Sequence, residues 1–298
     1  MTRVPPNAVA GERRPDHAAT AQAFDAIAPS YDAAYGPEAN EVMAWMRRES
    51  LAVLERTFPA GSRLLEIGCG TGEEAIALAR GGRDVVATDI SPAMARLALT
   101  KARASGQGDR VTAVALPARC LDALCPGADA LFDGAYASFG SLNCEPELEP
   151  VMGALARLVR PGGAFVCSVM ARCCPFEIAW YLAHARPQQA FRRFRGWQQA
   201  PVAGEGMEVS VGVHYLGAGD ILAACPDRTG FSLEKLMSLP LLQPPPYLDA
   251  LFRRRRTLFR RLEPWERRLR ERRPWRGWGD HILLVLRRRT AEQTGVLT

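Results

Sequence analysis

Residues 64–72 read Leu64-Leu65-Glu66-Ile67-Gly68-Cys69-Gly70-Thr71-Gly72. An apolar run ending in three alternating glycines, followed by a helix-forming stretch, predicts a strand, a tight turn and a helix. Glycines in such a turn accept positive φ and let a ligand approach the backbone. Glu66 stands two residues before the first glycine, where a pyrophosphate would be repelled, and the GxGxG spacing differs from the GxGxxG of dinucleotide loops. Asp89 closes the next apolar run, a position from which a carboxylate can accept hydrogen bonds from ribose hydroxyls. Proton abstraction would fall to His281, His184 or His214. Asp280 precedes His281 and can orient it, whereas any single histidine can equally be a satisfied structural side chain. Glu177 and His184, seven residues apart on a predicted helix, share one face.

The elements that must position these groups alternate. Apolar runs at 63–69, 84–90, 111–116, 131–139 and 164–170 predict strands. Helices are expected at 73–80, after Ser91-Pro92, and at 146–160, the last stopped by Pro161-Gly162-Gly163. This rhythm implies a parallel sheet with helices on both faces. Residues 20–58 read as helical with breaks at Pro29 and Pro37. Beyond residue 170 the rhythm changes to a helical insertion with an irregular tail over 171–206. Strands follow at 207–216, 231–239 and 281–286, with a short helix at 220–225. The organisation expected is an N-terminal helical cap (1–60), a core (61–170), a substrate-side insertion (171–230), last strands with an Arg-rich helical lid (231–289), and a tail (290–298).

Of 298 residues, 48% are hydrophobic and 23% charged, which excludes a disordered or polytopic membrane chain. The start is polar and broken by prolines, with no apolar signal-peptide core, so the expected location is cytoplasmic. The net charge of +6 is unevenly spread. Residues 251–289 hold fifteen arginines against four acidic residues, a local +11 that leaves −5 for the remainder. The eight cysteines form no CxxC and no Cys/His zinc spacing, so neither a metal nor a disulfide framework is expected.

These segments together resemble the class I S-adenosylmethionine-dependent methyltransferases. Glu66-Ile67-Gly68-Cys69-Gly70-Thr71-Gly72 resembles their first motif, and Asp89-Ile90-Ser91 with Met94 their second. Phe132-Asp133-Gly134-Ala135-Tyr136 is similar to their fourth-strand motif, and Leu158-Val159-Arg160-Pro161-Gly162-Gly163 to the turn before strand five. Residues 23–32 are similar to the cap of small-molecule members. The resemblance implies an α/β fold, a doubly wound, mostly parallel seven-stranded Rossmann-like sheet, binding S-adenosyl-L-methionine and releasing S-adenosyl-L-homocysteine. Glu66, Gly68, Cys69 and Gly70 would cradle the methionine part, Asp89 the ribose, and Ile90 and Met94 the adenine. Tyr31 would close over the cofactor and Ser138 would line its site. Many members carry an acid after strand three; here Arg119 or a backbone group must serve.

Substrate would sit beyond the carboxyl ends of the strands, near Phe139, Asn143, Glu177, Tyr215 and Tyr247. Pro244-Pro245-Pro246-Tyr247 is displaced from the strand-four position that the Asn/Asp-Pro-Pro-Tyr motif occupies, and reads as a stiff approach to the lid. The expected reaction is methyl transfer to a small, hydrophobic molecule, at oxygen first and at nitrogen or carbon second. Two readings of another class are a nicotinamide-dependent oxidoreductase and a non-catalytic cofactor-binding partner subunit. From 248 onward apolar residues recur at helical spacing opposite arginines, with Pro264 expected to start a second helix. That stretch would cover the pocket or join two copies, rest on a membrane surface, or, third in order, bind nucleic acid.

Overall fold

Leu64 and Leu65 are both fully buried, so neighbouring residues of one strand face two different cores. That is the mark of a central parallel strand covered on both sides. The computed structural model describes residues 16–36, 38–124, 132–204, 207–226 and 230–290. The strands are β1 (Arg63–Ile67), β2 (Asp84–Asp89), β3 (Val111–Ala115), β4 (Phe132–Ala137), β5 (Val159–Met170), β6 (Trp197–Gly204), β7 (Met207–His214), β8 (Phe231–Leu239) and β9 (His281–Arg288). Seven of them form one sheet in the order β3-β2-β1-β4-β5-β9-β8, with β6 and β7 a separate hairpin. β1 to β5 run parallel, and β9 is antiparallel to both its neighbours. The strand order reverses between β1 and β4, which opens a ligand crevice at their carboxyl ends.

The helices are α1 (His17–Ile27), α2 (Tyr31–Tyr35), α3 (Glu41–Thr57), α4 (Glu73–Arg80), α5 (Pro92–Ala104), α6 (Leu148–Leu158), α7 (Pro175–Ala183), α8 (Pro187–Ala190), α9 (Ala218–Ala223), α10 (Asp249–Arg254) and α11 (Arg256–Leu269). One core packs α3, α4, α5 and α11 on one face of the sheet, and a second packs α6 and α9 on the other. Ser91 starts α5 as expected: its Oγ accepts from Met94 N–H at 3.0 Å, with Pro92 in the first turn.

Two expectations are corrected here. The tail of the insertion is strand β6, paired with β7 from Trp197↔His214 onward. Its period was hidden because Gln198, Gln199 and Pro201 interrupt the apolar alternation. Pro264 lies inside α11, and the break falls instead at Arg255, with φ −118° and ψ 27°. A single missing donor on an exposed face is tolerated where the helix is otherwise anchored. The polar start, Pro37, Cys125 and the tail beyond residue 290 lie outside the described residues.

The Arg-rich helices dock along α3. Phe252 and Phe259 are buried and stacked at 5.5 Å, and Phe259 also meets Phe176 of α7 at 6.2 Å. Buried Glu266 accepts from the N–H groups of Leu241, Leu242 and Gln243, fixing the chain that leaves β8. Arg253 and Arg256 pair with Glu41, and Arg267 and Arg270 with Glu49, both acids on α3. The apolar stripe expected on one face is therefore split. Phe252 and Phe259 turn inward, whereas Leu258 and Trp265 remain 52% and 57% exposed. Among the described residues no helix is long and apolar enough to cross a membrane.

Candidate functional site

Gly68, Gly70 and Gly72 all have positive φ (71°, 50° and 83°), so the turn after β1 needs glycine at each. A Cβ at Gly68 would lie 2.3 Å from Ser141 Cβ, because the loop after β4 packs directly on the turn. A Cβ at Gly70 would meet nothing within 4 Å, so the turn's outer side is open to a ligand. Asp89 ends β2 beside it. Its Oδ2 accepts from Gly70 N–H at 2.8 Å and its Oδ1 from Ser91 N–H at 2.9 Å. Burial pushes this carboxyl up to about 6, against the pull of those two N–H groups. Each oxygen keeps acceptor capacity for a hydroxyl.

Glu66 is 1% exposed, and no backbone N–H or basic side chain hydrogen-bonds its oxygens. Tyr136, its neighbour in register on β4, brings its buried hydroxyl to this carboxyl and works against burial there. Burial, and then the nearby Glu74, raise the Glu66 carboxyl well above the ordinary carboxylate range. A buried, unsatisfied carboxylate is costly unless a cation completes it. Glu74 itself is engaged by Arg47 at 2.6 Å, and that guanidinium lies 5.6 Å from the Phe139 ring centre.

A two-part cap covers this end of the sheet. Phe24, Ile27, Ala28 and Tyr31 pack on Met94, joined by Val202 and Val209 of the hairpin. Asp25 Oδ1 accepts from Ser91 hydroxyl at 2.5 Å and Ala93 N–H at 2.8 Å, fastening α1 to the start of α5. Asp32 Oδ1 accepts from the Thr71 hydroxyl at 2.6 Å, and Lys101 bridges Asp32 to Glu73. Tyr31 is half-buried, its ring 4.8 Å from Tyr35. Met94 is 1% exposed and anchors the cap, and Ile90, just after β2, is half-buried.

On the other flank, His281 starts β9 opposite Met170 at the end of β5. Its Nδ1 lies 2.9 Å from Asp280 Oδ2, and its buried Nε2 has no partner. The ring meets Phe139 edge-on at 6.2 Å. Phe139 holds a positive φ of 51°, an uncommon conformation for a bulky residue, and its N–H donates to Ser168 Oγ. Behind this pair Arg193, 5% exposed, donates to Asp280 Oδ1 at 2.5 Å and to Glu177 Oε2 at 2.6 Å. Burial alone would raise Asp280, but Arg193 and then His281 hold it below the usual carboxylate range.

The structure relocates several expected site residues. Glu177 is not open to a substrate, since Arg192, Arg193 and the Tyr247 hydroxyl occupy both its oxygens. Cys174, Glu177 and Asp280 bring potential ligand atoms within 4.8 Å of one another, and Arg193 already supplies the positive charge there. Tyr215 is buried under the Arg193 guanidinium at 4.8 Å. Asn143 is fully buried and spent on backbone, donating to Met170 and His214 carbonyls and accepting from Met170 N–H. His184 is exposed at the end of α7, its Nδ1 2.7 Å from the Trp180 carbonyl. His214 packs on Trp197 at 5.3 Å. Arg119 is exposed after β3, and Ser138 is half-buried at the end of β4. Sequence reasoning missed Arg193, Arg47 and Asp25. Only an acid at cap-bond distance in space, not in sequence, could reveal Asp25.

A glycine turn, a strand-end aspartate and a sheet with one reversed strand define a Rossmann-like, nucleoside-binding enzyme fold. A family model described as a methyltransferase domain matches residues 64–163. The chain is 31% identical over 188 residues to the demethylmenaquinone methyltransferase of Renibacterium salmoninarum, covering 61% of this chain and 72% of that one. It is 36% identical over 180 residues to the biotin biosynthesis bifunctional protein BioCD of Bordetella avium, covering 55% of this chain and 32% of that one. The chain thus spans about a third of that bifunctional relative's length. Among solved structures, geranyl diphosphate C-methyltransferase from Streptomyces coelicolor A3(2) superposes with a TM-score of 0.51 at 15% identity, covering 83% of this chain and 82% of that one. At that identity the likeness establishes the fold. The chain belongs to the class I S-adenosylmethionine-dependent methyltransferases. The residues present fit that cofactor: the open side of Gly70, the strand-end Asp89 and the buried Glu66, which no cation hydrogen-bonds, offer backbone, hydroxyl acceptor and counter-ion.

Proposed function

We propose that this protein methylates a small, apolar molecule carrying an acidic hydroxyl, with His281 as general base. The observation that carries this reading is the buried His281 Nε2, unpartnered while Nδ1 is held by Asp280. That contact favours the tautomer with hydrogen on Nδ1 and leaves Nε2 as an acceptor. Asp89 would hold the ribose and Glu66 the ammonium of S-adenosylmethionine, which supplies a methyl group activated on its sulfonium. Phe139 would flank the acceptor ring. The acceptor's hydroxyl proton would pass to His281 Nε2, and Asp280, kept ionised by Arg193, would stabilise the imidazolium, while the cofactor gives up its methyl and leaves as S-adenosylhomocysteine. The closed cap excludes water from the sulfonium. His281 then releases its proton to solvent.

Carbon methylation is the second reading, because deprotonating a phenol or enol places charge on carbon as well as oxygen. Similarity to a demethylmenaquinone methyltransferase supports keeping it. The test is a screen of phenolic, enolic and amine-bearing apolar metabolites with isotope-labelled cofactor. Products carrying the labelled methyl on oxygen support the first reading, and on carbon the second. Transfer only to amines would reject both.

A further inference from the structure

The arginines of the α10–α11 segment divide into two populations. Arg253, Arg256, Arg267 and Arg270 point to α3 and pair with its acids. Arg254, Arg255, Arg260, Arg261, Arg268 and Arg272 are exposed and form no ion pair among the described residues. Acids offer them little compensation. Glu266 is buried, Glu271 pairs with Lys235, and Glu263 stands one turn from buried Phe259 on the docked side. Docking on α3 therefore accounts for the first population and leaves the second without a role.

The same outward flank carries apolar residues that the fold leaves out. Leu258 and Trp265 are seven residues apart, two turns of one helix, and stay 52% and 57% exposed. Half-buried Leu269 extends their line while Leu262 between them packs on the core, and Arg261 and Arg268 lie immediately beside it. Just after the helix, Trp275 and Trp278 are each 37% exposed and meet edge-to-face at 5.5 Å. Arginines around exposed Leu and Trp match a bilayer's interface: phosphates outside, and a boundary layer in which tryptophan rings rest.

We propose that this flank of α11 docks on an anionic lipid surface. The arginines meet the headgroup phosphates, while Leu258 and Trp265 enter the boundary beneath them. A nucleic acid would use the same charge, but would leave Leu258 unexplained. The surface lies outside the methyl-transfer machinery, so the inference stands or falls separately from the proposed reaction.

The test is sedimentation of the full chain with phosphatidylglycerol vesicles, with phosphatidylcholine vesicles as control, at low and physiological salt. Binding to the anionic vesicles alone, weakened by salt, is expected. Removing one basic residue lowers affinity about fivefold, so Arg254→Glu with Arg261→Glu and Arg268→Glu should lower it by about 100-fold or more. Leu258→Ser with Trp265→Ser should weaken binding without changing its salt dependence. Titration with S-adenosylhomocysteine checks that both variants remain folded. No sedimentation of the wild-type chain at either salt overturns the proposal. So does undiminished sedimentation of the triple variant, or binding to single-stranded RNA with none to the vesicles.

Discussion

Asp280 is shared between two partners on opposite oxygens: Arg193 Nη2 lies 2.5 Å from Oδ1, and His281 Nδ1 lies 2.9 Å from Oδ2. Arg193 also donates to the carbonyls of Ala171 and of Asp280 itself, at 3.1 and 2.8 Å. A guanidinium with this many fixed acceptors has one available orientation. The aspartate cannot rotate without breaking two bonds, so the imidazole it holds presents Nε2 in a constant direction. A residue of the insertion thereby sets the geometry of a residue on the sheet.

His281→Gln keeps size and a polar tip but removes the base. Turnover is expected to fall about 10²- to 10³-fold, with cofactor affinity unchanged. Wild-type turnover in the variant would move attention to proximity alone.

Arg193→Met removes the cation that buried Glu177 and Asp280 share, leaving Glu177 to Arg192 and Tyr247 and Asp280 to His281. Stranding such charges costs about 3–5 kcal/mol, or roughly a 10 °C fall in Tm for a chain of this size. The wild-type carboxyls are held below their ordinary values, chiefly by Arg193 working against burial, so their stabilisation is present above the unfolded pKa and is lost as pH falls. In the variant burial is opposed only by the weaker pulls of Arg192 on Glu177 and His281 on Asp280, and protonation relieves it as pH falls. The Tm deficit should therefore narrow between pH 7.5 and pH 4.5; an equal deficit at both would remove the electrostatic account.

How much of this was legible in the chain follows from range. The glycine turn, Asp89 and the Ser91 cap are local, and their spacing alone places them at the carboxyl ends of β1 and β2. His281 was legible as one of three histidines, marked out by its neighbour Asp280, and the antiparallel pairing of β9 with β5 then carries it to the ligand edge. Glu177 was not. Its role depends on Arg193, sixteen residues away across two short helices, and on Tyr247, seventy residues away. Asn143 likewise looks like a polar lining residue until its three bonds to Met170 and His214 backbone are seen. The arginine run gave no sign of which members pair, because Glu41 and Glu49 lie more than two hundred residues upstream.

Asp89 predicts a pH-dependent affinity. A carboxyl raised to about 6 by burial is ionised above that pH and protonated below it. Only the ionised form offers charge-assisted acceptors to both ribose hydroxyls, so S-adenosylhomocysteine affinity should climb as pH rises through about 6. Asp89→Ala should lose about 1.5–3 kcal/mol of binding at pH 8 and lose the part of the climb centred near pH 6, keeping only that due to Glu66. Calorimetric titrations at pH 5 and pH 8 separate the cases, and a wild-type affinity that is level across that interval would be the contrary result.

Glu66 predicts a proton release. Without ligand its carboxyl is buried, hydrogen-bonded by no cation and raised well above the usual range, so the neutral form is favoured. An ammonium brought beside it stabilises the carboxylate, and the proton must leave as the ligand binds. S-Adenosylhomocysteine carries that ammonium, whereas 5′-methylthioadenosine lacks the whole amino-acid part. Binding of the first should therefore release a proton, seen as a calorimetric enthalpy that changes with the buffer's ionisation enthalpy. Binding of the second should not. Glu66→Gln, which keeps the shape and removes the titration, should abolish the release and weaken the first ligand while leaving the second unaffected. If both ligands weaken equally, Glu66 supports the glycine turn and does not meet the ammonium.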